Sequence, residues 1–335
     1  MSEYGERSKI YFEVAGTQCA AWHYPGTNGG CVIMAGGFAV TKEPGTDQFA
    51  ARFREAGFSV LAFDYRHLGE SGGQPRQVVR VREQLADWDA AISRAATLPE
   101  VDPARLAIWA FSASGGYVFG LAARDTRLAA AIAQTPNADN PAAARNAARH
   151  QRPLAMLRFT GRAVLDAAGA LAGRAPRLVP LGGAPGTVAV LTTPDVADSG
   201  AALNPGGRYP DWRQEVAARS ALRLTVGRPG RQASRVRCPL LVVVCDQDRS
   251  ALAGPAIRAA GRAPGAELVR LPGGHYAPFL DAHEQAVAAE VDFLYRHALA
   301  GAPVRAGAPS VRAGAPSVRA GAPSVRAGAD SGRAS

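Results

Sequence analysis

From residue 8 to about residue 300 the chain alternates short apolar runs with stretches whose apolar positions recur every three or four residues. The runs are KIYFEVA, CAAWHY, CVIMAG, SVLAFDY, RLAIWAF, AAAIAQT, LLVVVCD and ELVRLPG. From CVIMAG onward they are nearly continuous in apolar residues, as strands covered on both faces of a parallel sheet are. Helices are predicted between them at about 46–56, 77–97, 115–124, 254–262 and 281–299. No helical stretch separates the first two runs, so they predict an antiparallel hairpin at one sheet edge. The pattern as a whole predicts an α/β architecture: a mostly parallel eight-stranded sheet with helices on both faces.

One interval breaks this rhythm. About a hundred residues, 137–236, separate AAAIAQT from LLVVVCD. They hold Ala-rich helical stretches near 141–149 and 153–173, then RLVPLGGAPGTVAVLTTPD, then a predicted helix at 211–222. A structureless connection of that length is uncommon inside a compact domain. It is expected to be a mainly helical cap over the carboxyl edge of the sheet, where open α/β sheets bind ligands. The chain then divides into a core at 1–136, the cap at 137–236, the returning core at 237–300 and a tail at 301–335. The tail repeats RAGAPSV at 305–311, 312–318 and 319–325, then runs RAGADSG. Pro and Gly in each unit oppose a helix and no a/d pattern supports a coiled coil, so the tail is expected to be disordered.

Charge and composition narrow the function classes. The formal net charge is +10, but residues 302–335 hold five arginines against Asp330, a net of +4. The remaining +6 is spread without a basic cluster interleaved with aromatics, so nucleic-acid binding is not expected. The opening MSEYGERSKIYFEV is polar and no apolar run is long enough to span a bilayer, so neither a signal peptide nor membrane insertion is expected. Cys19, Cys31, Cys238 and Cys245 lack metal-ligand spacing, and three lie in or beside apolar runs. They read as reduced core residues of a cytoplasmic protein. The expected partner is a small molecule, and a homo-oligomer stays open.

The chemistry centres on RLAIWAFSASGGYVFGLAARD, residues 105–125, where an apolar strand meets an Ala-rich helix. Ser112 follows the strand directly and stands at the apex of the turn. Ser114 falls in the first helical turn, and Gly115 and Gly116 let helix and strand pass closely. Ser112 is therefore the stronger nucleophile candidate, against a plain helix N-cap as the bland alternative. A serine hydroxyl needs a base, and the base an orienting acid. Asp246 and Asp248 follow the strand PLLVVVC; Asp248, past the strand end, is the better acid. His275, in GGHYAPF, sits on a glycine loop after ELVRLPG and is the best base. His283 and His297 fall in the last helix, and His67, in YRHLGES, has no expected catalytic part. The developing oxyanion needs two N–H donors: Ala113, after the nucleophile, and Phe38, in the loop GGFAVTKE.

A strand-turn-helix with serine at its apex and the chain order Ser, Asp, His is similar to the nucleophile elbow and triad of the α/β-hydrolase superfamily. The resemblance runs over about residues 8–299, through MAGGFAVTKE, FDYRHLGESGGQPRQ, LAIWAFSASGG, TTPD, WRQEVAARSAL, CPLLVVVCDQD and GGHYAPF. More closely it resembles bacterial serine hydrolases with a helical cap. It implies the α/β-hydrolase fold, with Ser112 as nucleophile, His275 as base and Asp248 as acid. Three departures stand out. The first elbow glycine is Ala110, Gly36 replaces a histidine common in related oxyanion loops, and no proline follows the acid in DQDRSALAG.

The expected activity is hydrolysis of an ester or thioester through an acyl-enzyme on Ser112. The same triad would serve an acyltransferase, thioesterase or cyclase in polyketide-type tailoring, and a non-catalytic ligand-binding member of the fold is the reading from another class. No cofactor and no metal are expected, since Gly36 and Gly37 do not spell a dinucleotide fingerprint. Phe111, Phe159, Leu191 and Trp212 are candidate pocket groups, and the Ala/Leu-rich cap predicts an apolar pocket for a medium acyl chain or aromatic ester.

Overall fold

The computed structural model describes residues 6–299; the repeat tail at 301–335 lies outside them. In chain order the strands are β1 (Ser8–Val14), β2 (Thr17–Tyr24), β3 (Cys31–Ala35), β4 (Ser59–Phe63), β5 (Leu106–Phe111), β6 (Leu128–Gln134), β7 (Leu178–Pro180), β8 (Glu215–Ala217), β9 (Leu240–Cys245) and β10 (Ala266–Leu271). Eight of them form one sheet in the order β1-β2-β4-β3-β5-β6-β9-β10. β1 pairs antiparallel with β2, and β2 with β4; every later pairing is parallel. This is the α/β-hydrolase architecture, with the first hairpin at one edge.

The helices are α1 (Thr46–Glu55), α2 (Val81–Ala95), α3 (Ser112–Arg124), α4 (Asn140–Arg149), α5 (Pro153–Leu171), α6 (Ser199–Leu203), α7 (Ala218–Leu222), α8 (Ala253–Ala260) and α9 (His283–His297). The continuous apolar strands have a direct physical reason. Side chains alternate across a sheet, so along β3 Cys31, Ile33 and Ala35 enter one core while Val32 and Met34 enter the other. The first core is closed by α2, α3 and α8 through Trp88, Val118 and Ala259; the second by α1 and α9 through Phe49, Phe53 and Phe293. Each fully buried large apolar side chain contributes on the order of 1.5–3 kcal/mol.

Between β6 and β9 the expected helices appear as α4 and α5, but the helix predicted at 211–222 does not. Residues 215–217 form β8, which pairs antiparallel with β7 as a separate two-stranded sheet, and only the five residues of α7 are helical. Tertiary partners override the local pattern here. The Gln77 side-chain amide donates to the Glu215 carbonyl at 2.5 Å, and the Ala217 N–H donates to the Gln77 carbonyl at 2.7 Å. Those backbone groups are thereby withdrawn from any helix. The stretch predicted as a helix at 77–97 is likewise shorter, because residues 77–79 serve these contacts. Val79 N–H, for one, donates to Ser220 Oγ at 2.9 Å.

All four cysteines are buried and unpaired. A less expected buried group is Glu290 on α9, which accepts a hydrogen bond from Trp109 Nε1 of β5 at 3.0 Å. Its Oε1 has no partner among the described residues. Burial raises its pKa well above the usual carboxyl range. An unfolded Glu ionises near pH 4.3, so folding must hold a proton that the unfolded chain releases, and stability falls as pH rises above that value. Glu290→Gln keeps the hydrogen bond to Trp109 and removes the titration. Its thermal midpoint is expected to match wild type near pH 4 and to exceed it by several degrees at pH 8; a constant difference across this range would refute the assignment.

Candidate active site

β5 ends at Phe111, and Ser112 turns the chain into α3 with a φ of 59°. A left-handed φ costs a non-glycine residue on the order of 1–3 kcal/mol. The surroundings hold it there because strand, turn and helix all approach closely. A Cβ on Gly115 would lie 3.1 Å from the carbonyl oxygens of Ala110 and Gln134, and one on Gly116 would lie 2.5 Å from the Asn137 carbonyl. Ala110 is fully buried, so a methyl is accommodated where related elbows carry glycine.

The turn sends the two serines to different fates. Ser114 is buried and accepts a hydrogen bond from Tyr65 Oη at 2.9 Å, while Tyr65 accepts one from Trp88 Nε1 at 2.8 Å. Ser112 Oγ instead lies 2.9 Å from His275 Nε2, and His275 Nδ1 lies 2.7 Å from Asp248 Oδ2. Asp248 Oδ1 accepts from the N–H groups of Ser250 and Ala251 at 2.8 and 2.7 Å, which aims the other oxygen at the imidazole. Asp246 points elsewhere, accepting from Arg270 Nε at 2.8 Å on an exposed rim. His67 pairs with Glu83 at 2.8 Å, His283 bonds the Pro278 carbonyl at 3.0 Å, and His297 meets Glu267 at 2.8 Å. None of the three joins the Ser112 cluster.

A third carboxylate was not singled out from the sequence. Asp195, in TTPD, is buried; its Oδ2 accepts from the Arg249 N–H at 2.9 Å and from Ser250 Oγ at 2.8 Å. Its Oδ1 lies 3.4 Å from the His275 N–H. Asp195 therefore ties the loop bearing Asp248 to the loop bearing His275, and Asn146 Nδ2 donates to the Arg249 carbonyl at 2.5 Å from the same insertion. These contacts brace an acid loop that lacks a proline. A signal was present: residues 141–194 hold a single acid, Asp166, so a buried Asp directly after Thr-Thr-Pro stands out. Burial works to lower the His275 pKa, but the Asp248 charge, its hydrogen bond and the Asp195 charge together hold it above the ordinary value.

The loop after β3 runs against the elbow. A Cβ on Gly37 would lie 3.0 Å from the Phe111 ring and 3.3 Å from Ser112 Cβ, a tight approach that glycine makes without displacing either. Phe38 follows, and among the described residues its N–H has no backbone carbonyl partner. With no histidine at 36, two other contacts hold the loop. Lys42, itself buried, donates its N–H to Asp64 Oδ1 at 2.7 Å and its ammonium to Asp64 Oδ2 at 3.1 Å. Trp212 Nε1 donates to the Ala39 carbonyl at 3.1 Å.

Ser112 and Phe38 border two cavities. The larger, about 910 Å³, is lined by Phe111, Arg149, Gln151, Arg152 and Trp212 among others. The smaller, about 360 Å³, is walled by alanines of α4 together with Met156, Phe159 and Leu191, and includes Ala113. All four candidate pocket groups thus line one or both cavities. Among the described residues no cluster of three or more His, Cys, Asp or Glu side chains could hold a metal ion.

Residues 31–290 match the Alpha/beta hydrolase family, and the chain belongs to it. It is 36% identical over 292 residues to the quorum-quenching protein AidA of Acinetobacter baumannii, covering 86% of this chain and 94% of that one. A shorter stretch of 109 residues is 38% identical to the thiohydrolase aneE of Aspergillus aculeatus, covering 32% of this chain and 34% of that one. The crystal structure of the alpha/beta hydrolase GrgF from Penicillium superposes over 88% of this chain and 99% of its own with a TM-score of 0.72 at 24% identity, a likeness of fold. Family and relatives together define the chain as a hydrolase-class enzyme.

Asp195→Asn keeps the shape and removes the charge. Loss of a negative charge beside His275 lowers the imidazole pKa, so the acidic limb of the kcat/KM profile is expected to move to lower pH. The plateau should fall about tenfold, or about 1.4 kcal/mol of barrier. A profile measured on a p-nitrophenyl ester whose limb does not move would show Asp195 to be structural only.

Proposed function

We propose that the protein is a serine hydrolase of esters or thioesters. The observation that carries this reading is the hydrogen-bonded series from Ser112 Oγ to His275 Nε2 at 2.9 Å and from His275 Nδ1 to Asp248 at 2.7 Å. Ser112 Oγ attacks the acyl carbonyl as its proton passes to His275 Nε2. Asp248 accepts the Nδ1–H bond, fixes the tautomer and stabilises the imidazolium. The N–H groups of Phe38 and Ala113 receive the oxyanion. Such donors are each worth roughly 3–4 kcal/mol of barrier. Collapse of the tetrahedral intermediate expels the alcohol or thiol, which takes the proton from His275. A water, giving its proton to His275, then attacks the acyl-serine; the C–Oγ bond breaks, Ser112 Oγ takes the proton back from His275, and the acid leaves.

The two cavities suggest how substrate lies. The smaller, alanine-walled cavity suits a medium acyl chain or an aromatic acyl group. The larger, with Arg149, Arg152 and Gln151, suits a polar leaving group. Residues 137–236 act in this reading as the cap that selects substrate. The thiohydrolase relative makes thioesters a natural class to test. A second reading, acyl transfer to an alcohol or amine, gains support from a polyketide transferase, grgF of Penicillium, 32% identical over 136 residues, 40% of this chain and 46% of that one. It needs the same acyl-enzyme and differs only in the acceptor.

Intact-mass analysis after a fluorophosphonate tests the nucleophile. Wild type and Ser114→Ala are expected to gain one adduct, and Ser112→Ala none. An adduct lost only in Ser114→Ala would overturn the register, and an unlabelled wild type would favour a binding protein. A p-nitrophenyl ester series should peak at medium chain length, and product analysis with an added alcohol separates hydrolysis from transfer.

A further inference from the structure

Among the described residues, the outer face of α5 has no apolar partner. Leu154, Leu157, Val164, Leu165 and Leu171 are all exposed along it, Leu157 at 69% and Leu171 at 93%. At about 100° per residue these five fall on one arc of the helix, with Gly161 and Ala168 between them. Exposed large apolar side chains scattered singly are ordinary; a stripe along one helix is not. The opposite side of the same helix supplies Met156, Phe159 and Thr160 to the small cavity beside Ser112.

The exposed charge of this segment of the chain has one sign. Residues 141–194 hold seven arginines, at 145, 149, 152, 158, 162, 174 and 177, and one acid, Asp166. Asp166 lies on the inner side of α5, buried in an ion pair with Arg219 at 2.8 Å. Within 141–194, then, no exposed acid offsets the seven arginines. A second copy docked face to face through this segment would bring arginines against arginines, with no exposed acid of 141–194 to neutralise them. A helix with an apolar face and an arginine-only polar margin fits an anionic lipid surface, with the apolar side chains among the acyl chains and the guanidinium groups at the headgroups. No described helix is long and apolar enough to cross a membrane, so the contact would lie in the interface plane.

We propose that α5 is an interfacial docking helix for anionic membranes. It sets the cavity beside Ser112 against the lipid, one helix thickness from the bilayer. The proposal concerns docking and stands whether or not Ser112 is the nucleophile.

The test is sedimentation of the full chain with vesicles of phosphatidylcholine alone and of phosphatidylcholine with 30% phosphatidylglycerol. Wild type is expected to bind the anionic vesicles and to be released by salt. Leu157→Gln/Leu165→Gln should weaken binding roughly tenfold or more through lost apolar burial. Arg158→Gln/Arg174→Gln should weaken it by about fivefold per arginine. None of these four residues lines either cavity at Ser112, so hydrolysis of a soluble ester should be unchanged and also reports that the variants fold. No binding to anionic vesicles would overturn the proposal. So would binding unaltered by either pair of substitutions, equal binding to neutral vesicles, or a solution dimer that Leu157→Gln/Leu165→Gln dissociates.

Discussion

The left-handed turn at Ser112 is the constraint on which the rest of the site depends. Its φ of 59° swings the chain from β5 into α3 within one residue and leaves the hydroxyl beyond the sheet edge. That geometry is sterically costly for serine, and the cost is met by packing on three sides. Gly115 and Gly116 admit the β6 end and the chain after it, and Gly37 admits the Phe111 ring and Ser112 itself. Close-packed interiors tolerate little displacement; a methyl at Gly116 would force the Asn137 backbone to shift, and one at Gly37 or Gly115 would press on its neighbours.

The segment between β6 and β9 is coupled to the chemistry as well as standing beside it. Asp195 holds the loops of Asp248 and His275, Asn146 holds the acid loop, and Trp212 holds the loop of Phe38. The cavities and the Ser112, His275 and Asp248 cluster therefore share supports. A change near Thr193 or Trp212 would be felt at His275 or in the loop of Phe38, because the same hydrogen bonds serve both. The departures from related sequences make sense in this light. Where a histidine at 36 and a proline after the acid are absent, Lys42 with Asp64, and Asp195 with Asn146, provide the bracing.

Much of this was readable along the chain. The central sheet strands follow from continuous apolar runs of strand length, because a strand buried on both faces must be apolar throughout, and the edge strands β1 and β10 from mixed runs. The elbow follows from Ser112 standing directly between such a run and a Gly-Gly helix start. Asp248 and His275 follow from their places after late strands. These are local signals: each is set by a few neighbouring residues and the periodicity of one element.

What local pattern could not decide lies in contacts between distant segments. Residues 211–222 carry a helical pattern, yet Gln77 and β7 take their backbone groups and draw 215–217 into a strand. Asp195 became a partner of residues 54 and 80 positions away, Ser114 was withdrawn by Tyr65, and Glu290 was shut in against Trp109. The sequence by itself determined the fold class and the serine at the turn, since apolar periodicity and turn chemistry act over short range. Tertiary structure alone decided which buried polar groups meet. Such a group must find a donor or acceptor wherever packing happens to bring one, and no spacing along the chain encodes that meeting.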